Sequence, residues 1–569
     1  MNTPALRIAV LLLSLASATS AHADWPRDPS AAAPVAQGPG DQDALACAGD
    51  ELGGVWFAFE DHASDPLTHV RVQHLDLYGR PMFGDTGLVI SAPDARQNAP
   101  CLVPDGTGGA FVTWVDFRAD TAGDLHAQRI TREGAPAWAG TGVAVCAVPA
   151  AHARSVVLAP GDSLDAYVAW QDDRAGAAAQ NIYAQRIGRD GALLWAPANG
   201  LAVAPESSSQ STPYIFATTL GALFAWTDWR SLTYWNVYAQ RFDRQGHPAW
   251  VTNGVEICAY PAHEYEPCAV GASDGSFFIA WLDRRPGWLQ VIAQRVSAGG
   301  TVLGPTDGLP VSGTQAPVFS VHLVRTAGPG VIVAWGMVAG SGLQVAGQRF
   351  DGTFTSQWGT NGLTLLDVQD QMGVNSWDAE DDRNDGLYLA AATGSYGAYD
   401  IVGEHYGPGG ASRWPGGVTI RHGGDVWRRQ VSVAHSGADM IVGWDGADPV
   451  SGWNLAANLV GAGGVLTVPA PAPPGAATFF ARPSPSPVSG GATLTLRFSS
   501  PSARAVRIEL IDLAGRSIRR ESYNAPAGAS SFPLAVRDAG GRPLAPGIYM
   551  VRASASDGAA SAHPVVVLR

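Results

Sequence analysis

Leu223-Phe-Ala-Trp-Thr-Asp-Trp-Arg230 is the stretch on which the reading of this chain turns. The same pattern stands at Phe111-Val-Thr-Trp-Val-Asp-Phe-Arg118, at Tyr167-Val-Ala-Trp-Gln-Asp-Asp-Arg174 and at Phe278-Ile-Ala-Trp-Leu-Asp-Arg-Arg285. Degenerate copies are Trp56-Phe-Ala-Phe59, Ile332-Val-Ala-Trp335, Tyr388-Leu-Ala-Ala391 and Ile441-Val-Gly-Trp444. The eight aligned positions, 59, 114, 170, 226, 281, 335, 391 and 444, lie 53 to 56 residues apart. A fixed period of this size marks a repeat architecture, in which a unit that cannot shield its own apolar surface stacks on its neighbours.

A second element keeps the same period: His126-Ala-Gln-Arg129, Tyr183-Ala-Gln-Arg186, Tyr238-Ala-Gln-Arg241, Ile292-Ala-Gln-Arg295 and Ala346-Gly-Gln-Arg349. A turn with Gly follows, such as Arg189-Asp-Gly191, and then an aromatic anchor at Trp138, Trp195, Trp250, Trp358 or Trp414. Each unit closes on a short apolar run such as Gly254-Val-Glu-Ile257. Four short runs of β-branched and aromatic residues, separated by Gly, Pro, Asp and Asn, read as four strands. No long window carries a 3.6-residue stripe free of Gly and Pro, so helix is disfavoured. The expectation is all-β: an eight-bladed β-propeller of four-stranded blades over residues 43–468, followed by an immunoglobulin-like β-sandwich. The motif Trp is the natural filler between blades.

Charge narrows the partners. All 36 basic residues are Arg, against 50 acidic ones, for a net charge of −14. An acidic surface repels phosphate backbones, which argues against nucleic acid, and the lack of Lys rules out lysine chemistry. Residues 1–23 read as a signal peptide: Arg7, the apolar run Ile8 to Ala16, and Ala21-His22-Ala23 as a cleavage site. No later run is long and apolar enough for a transmembrane segment, so a secreted or surface protein is expected. Residues 24–42 then read as an N-terminal linker. Of five cysteines, Cys258 and Cys268 flank a turn and are the best candidates for a disulfide.

Pro469-Ala-Pro-Ala-Pro-Pro474 opens a linker over 469–478, extended as proline-rich segments are. From 479 to 569 alternating runs return, such as Thr493-Leu-Thr-Leu-Arg-Phe498 and Val506-Arg-Ile-Glu-Leu-Ile-Asp-Leu513, and about seven strands are expected. The repeats resemble the Trp-x-Asp-x-Arg and Tyr-Ala-Gln-Arg units of large secreted bacterial proteins, a likeness that brings no catalytic residue with it. Ile508-Glu-Leu-Ile-Asp-Leu-Ala-Gly-Arg516 and Leu544-Ala-Pro-Gly-Ile-Tyr-Met-Val-Arg552 resemble the C-terminal sorting domain of type IX secretion substrates. The same pattern marks the immunoglobulin-like domain of flagellar hook-capping proteins. The resemblance implies that residues 479–569 engage an outer-membrane export machinery. His563-Pro564 and Arg569 stand where the family carries a Lys-rich last strand, and a structural cap for the propeller is the competing reading.

Candidate chemistry is sparse. Gly271-Ala-Ser273-Asp-Gly275 fits G-x-S-x-G, but it falls where other repeats have a simple turn, not the strand–turn–helix of a nucleophile elbow. The run Asp378-Ala-Glu-Asp-Asp-Arg-Asn-Asp385 offers oxygen ligands, so calcium near Asp378, Asp381 and Asp385 is the one cofactor weighed. The recurrent Asp/Arg pairs read as blade architecture. Residues that break the repeat point elsewhere. Trp229, Trp235, Trp288 and Trp453 lie in or beside loops between second and third strands, on the face that would also carry Tyr260, His263 and Tyr265. The functional expectation is binding or adhesion to an extracellular glycan or protein through these aromatics. The alternatives are a carbohydrate-active hydrolase or lyase at the propeller axis, and a structural surface component.

Overall fold

The second-strand motif is apolar at nearly every position, as a strand covered on both sides must be. Ala110–Asp116, Ala166–Asp172 and Phe277–Asp283 are buried from end to end. A computed structural model describes residues 25–466 and 488–568. It leaves aside 64–66, 92–94, 163, 177–179, 286, 313–316, 340–341, 369–375, 396–397, 423–427, 449–451, 490, 501–503, 513–516, 527, 539, 546 and 556–559. Among the described residues the secondary structure is all strand, with no helix. The chain divides into two units, Met1–Val468 and Pro469–Arg569.

In the first unit every repeat forms one four-stranded antiparallel sheet, and eight such sheets follow one another. The second comprises Gln97–Pro104, Ala110–Asp116, Asp124–Ile130 and Val143–Cys146, in that order. The two sequence motifs keep one period because they are cross-strand partners. Trp170 pairs with Tyr183 and Trp226 with Tyr238, their rings stacked with centroids 6.3 and 6.2 Å apart.

Each apolar cluster is shared by two successive sheets. Trp56, Ala58 and Val72 of the first meet Leu102, Val112 and Trp114 of the second. The eighth sheet packs Ile441 and Leu455 against Phe57 and Phe59 of the first, so the series closes on itself. The first strands of successive sheets touch all the way round, and therefore line the hub. This all-β ring fits a β-propeller.

The ring closes in a way the sequence reading did not anticipate. Ala33–Ala36, expected to lie in a linker, is the fourth strand of the eighth sheet, and pairs antiparallel with Gly452–Val460. The reason is complementarity at the joint. Each anchor indole donates to a backbone carbonyl in the turn of the next sheet: Trp138 to Arg189 (2.9 Å), Trp195 to Arg244 (3.1 Å), Trp250 to Ala298 (2.9 Å), Trp358 to Pro408 (3.1 Å) and Trp414 to Ala462 (3.0 Å). The ring then covers a turn glycine. At Gly191, with φ +87°, a Cβ would stand 3.0 Å from Trp138. The eighth unit has Val468 at its anchor position, and Trp25 does the work instead, donating to Leu77 O (3.0 Å) and lying on Gly79 of the first sheet.

The expected Cys258–Cys268 disulfide is absent, and all five cysteines are free. Successive residues of a strand face opposite ways. Ala269 joins Cys258 in the core between the fourth and fifth sheets, which turns Cys268 into the core between the fifth and sixth. Among the described residues the second unit has seven strands, a five-stranded sheet and a two-stranded one. They enclose a core of Leu494, Leu496, Ile508, Leu510, Leu534, Val551, Val565 and Val567.

Trp25 is 1% exposed, so Trp25→Ala removes a fully buried ring and its hydrogen bond at the closing joint. A loss of about 3–5 kcal/mol is expected, read from denaturant unfolding of the first unit. An effect no larger than that of a surface substitution would mean that the N-terminal strand does not close the ring.

Candidate functional site

The Trp-x-Asp-x-Arg motif acts as a lock within the blade. Residues two apart on a strand share a face. Each motif indole therefore donates to the aspartate two positions on: Trp114 to Asp116 (2.9 Å), Trp170 to Asp172 (3.0 Å), Trp226 to Asp228 (3.0 Å) and Trp281 to Asp283 (3.1 Å). The arginine two further on grips the same carboxylate, as Arg118 Nε does at 2.7 Å and Arg285 Nε at 2.9 Å. The guanidinium also donates to the closing turn of the preceding unit or of its own, Arg174 to Asn199 O (2.9 Å) and Arg230 to Asn253 O (3.1 Å). Arg174 and Arg230 lie over Tyr183 and Tyr238, 3.6 and 3.8 Å from the ring centroids. The glutamine of the second motif is fully buried at 185 and 240, and its Oε1 accepts the backbone N–H of the anchor Trp195 (2.8 Å) and Trp250 (3.1 Å). These periodic groups are spent on architecture.

The residues that break the period gather on one face. The loop 229–235 between the second and third strands of the fourth sheet meets the connection into the fifth. Trp229 lies 5.2 Å from Trp235 and stacks on His263 at 5.9 Å and 9°. Tyr234 meets the same imidazole edge-on at 5.6 Å, and Tyr265 stacks beneath it at 5.9 Å. His263 Nδ1 accepts Trp235 N–H at 3.3 Å, tying loop to connection. All five rings are half-buried. Beside them Leu232 is 74% exposed and Tyr260 37%, Tyr260 lying over Arg285 at 4.5 Å.

Of the aromatics singled out from sequence, Trp229, Trp235 and Tyr265 are thus brought together. Trp288 stands in the corresponding loop of the fifth sheet, 37% exposed, and Trp453 in the eighth sheet, its N–H on Asp41 (3.0 Å). Under the cluster lies Glu264, whose N–H donates to Trp235 O (2.9 Å). Burial pushes its carboxyl up to about 8, and the charge of Asp283 adds to the effect. Sequence reasoning missed Glu264. The signal was there: Gln42, Gln97 and Gln210 hold that place in other units.

The hub carries a second group, also missed. Asp378 and Glu380 share a face of the seventh sheet's first strand. Asp378 lies 3.5 Å from His322 of the sixth sheet and accepts Val433 N–H of the eighth (2.9 Å), while Glu380 lies 3.6 Å from His435. Burial raises both carboxyls above their ordinary range. Burial, with these two charges behind it, pushes the Cys47 thiol of the first sheet up to about 12. Asp378, Asp381 and Asp385 do not converge as a calcium site. Asp381 accepts Arg383 N–H (2.9 Å), and Asp385 accepts Ala327 N–H and faces Arg349. Three alternate uses, a strand, a turn and an inter-sheet contact, pull the run apart. Ser273 sits in a tight turn closed by Ala272 N–H to Ser276 O (2.8 Å), without a following helix.

No protein-family model matches the sequence, and no curated protein matches it. Among solved structures, PorZ, a bacterial surface component of the type IX secretion system of Porphyromonas gingivalis, aligns over 92% of this chain and 81% of its own at 9% identity and TM-score 0.32. An ulvan lyase of family PL25, bound to -[GlcA(1-4)Rha3S]-, aligns over 78% and 96% at 11% identity and TM-score 0.39. An α-L-arabinanase of Penicillium chrysogenum with arabinobiose aligns over 76% and 99% at 12% identity and TM-score 0.32. At TM-scores of 0.32 to 0.39 the likeness carries nothing about fold or activity.

The lock predicts a pH signature. Burial alone would raise the Asp116 carboxyl, but hydrogen bonds from Arg118, Gln97 and Trp114 outweigh it and hold the group well below the usual carboxylate range. Its contribution is therefore present above the unfolded value of about 3.9 and fades as pH falls toward the folded one. Asp116→Asn is expected to cost about 3 kcal/mol in denaturant unfolding at pH 7, with the deficit shrinking below about pH 4. A deficit independent of pH would place the stabilisation outside the ion pair.

Proposed function

We propose that this is an exported, surface-held binding protein. Its eight sheets serve as the blades of a propeller, and its aromatic face takes an extracellular glycan. The observation that carries the reading is the Trp229–Trp235–His263–Tyr265 cluster, half-exposed and outside the repeat, beside exposed Tyr260 and Trp288. A pyranose ring offers an apolar face of C–H groups and a rim of hydroxyls, which aromatic platforms with polar neighbours accommodate. The seven-stranded second unit is read as an immunoglobulin-like sorting module, on the strength of its sequence motifs. Residues 1–23 are read as the signal for export.

Screening the full chain against an array of extracellular polysaccharides and oligosaccharides tests this. Binding is expected, with Trp235→Ala and Trp288→Ala each weakening it roughly tenfold or more, as loss of a stacked aromatic does. Unchanged binding after both replacements removes the aromatic face, and capture of a protein in place of any glycan removes the ligand class.

A second reading has its own observation. Asp378 and Glu380, each facing a histidine at the hub and absent from the equivalent places of other sheets, are acid–base groups of the kind a glycan hydrolase or lyase uses. If the array identifies a polysaccharide that the protein also shortens, Asp378→Asn and Glu380→Gln should each cut turnover by 100-fold or more, roughly, while Trp288→Ala acts mainly on substrate affinity. Turnover indifferent to both hub substitutions rules the reading out.

A further inference from the structure

The junctions between sheets are variations on one set of positions, which lets the repeat act as its own control. At the junctions into the second, fourth and fifth sheets a small residue ends one unit, and a polar residue begins the next unit's first strand; into the third, Cys146 ends the unit and Ala153 takes the polar residue's place. The aspartate and arginine of the motif close over them. Between the first and second sheets these are Ser91, Gln97, Asp116 and Arg118, with Arg118 Nη2 donating to Ser91 Oγ (2.8 Å) and Gln97 Nε2 to Asp116 (2.9 Å). Between the third and fourth they are Ala204, Gln210, Asp228 and Arg230. Between the fourth and fifth they are Cys258, Glu264, Asp283 and Arg285. Only there do a thiol and a second carboxyl stand together, Cys146 at the junction into the third sheet having Ala153 in the glutamine's place.

Glutamine in this place serves two partners: Gln97 accepts Val70 N–H of the preceding sheet (3.2 Å) and donates to Asp116 (2.9 Å), and Gln210 accepts Ile182 N–H (3.1 Å) and donates to Ala204 O (2.8 Å). Glu264 keeps the first contact, Oε2 accepting Val237 N–H at 2.6 Å. It has no nitrogen for the second, and its Oε1, in a residue wholly buried, meets no N–H or O–H donor, only the Cys258 thiol facing the carboxyl. A thiol sulfur of Cys258, a carboxylate oxygen of Glu264 and one of Asp283 lie within 4.8 Å of one another, and all three residues are buried.

We propose that Cys258, Glu264 and Asp283 form a site for one divalent ion of the zinc class, stapling the fourth sheet to the fifth beneath the aromatic face. One sulfur and two oxygens suit a borderline-soft ion better than calcium or magnesium, which take oxygen alone. Bonds of about 2.0–2.3 Å would draw the three donors only modestly closer. A thiolate and two carboxylates, set against Arg285 and a divalent ion, leave the buried junction neutral, as buried charge requires. Asp283 already receives Arg285 Nε (2.9 Å) and Nη2 (2.7 Å). Nη2 is the donor that gives way, since Asp307 O stands 2.8 Å from it as an alternative acceptor. The thiol proton of Cys258 and the proton of the Glu264 carboxyl leave to solvent as sulfur and oxygen take the ion.

The test strips the full chain with a chelator and adds back Zn²⁺ alone, then Co²⁺ as a spectroscopic probe. One ion retained per chain is expected, and with Co²⁺ a sulfur-to-metal charge-transfer band in the near ultraviolet. Cys258→Ser should abolish the band, and Glu264→Gln should weaken binding roughly 100-fold or more. Both variants are expected to fold, because Ser91 and Gln97 occupy the same places at the junction between the first and second sheets. Cys268→Ser should leave binding unchanged. The half-exposed group Asp43, Glu60 and His62 also gathers three donors, but it has no sulfur. Ion retention without the band, a band that survives in Cys258→Ser, or no retention at all would each overturn the proposal.

Discussion

A sheet of four short strands has two apolar faces and no means of covering either alone. The whole first unit depends on settling that problem at eight junctions, the last of which returns to the first sheet. Apolar burial supplies the driving force but has no direction. Direction comes from the anchor indole, which at six of the eight junctions reaches across to a turn carbonyl of the next sheet and lies on a glycine there. The motif arginines and glutamines work inward from these junctions, satisfying polar groups that close packing would otherwise strand. Surface loops inherit a rigid frame, and the chain departs from its pattern there, at the hub pair Asp378 and Glu380, and at Glu264.

What could be read from the amino acids follows from this division. Positions facing the same surroundings in every repeat are written the same way, so strands, turns, motif pairings and the ring itself were legible from Phe111-Val-Thr-Trp and its copies. The N-terminal strand was not. Ala33–Ala36 is four residues long and carries neither motif. Its sign lay in an absence and a presence read together: an eighth unit lacking its anchor tryptophan and a stray Trp25 far upstream.

The candidate sites were legible to different degrees. Trp229 and Trp235 stood out because no repeat calls for them, and they do meet. Trp453, equally exceptional, is placed half a ring away, because equal rank in sequence says nothing of azimuth. Cys258 and Cys268 are ten residues apart yet face different cores, since closeness along the chain does not survive the alternation of a strand. The hub pair Asp378 and Glu380 was obscured by lying in a longer acidic run whose other members serve turns. Glu264 was hidden by resemblance, a single-atom change from the glutamine of its siblings.

Because the eighth sheet borrows its outer strand from the opposite end of the chain, synthesis and completion run out of step. Residues 33–36 emerge before every other described strand of the unit, and their partner strand Gly452–Val460 is the last of them to appear. Through nearly the whole of translation or translocation the early strand has nothing to pair with, and the first sheet presents a bare apolar wall. The native ring is therefore an all-or-nothing product of its two ends. A chain interrupted late leaves a crescent with two sticky rims, primed to join another crescent.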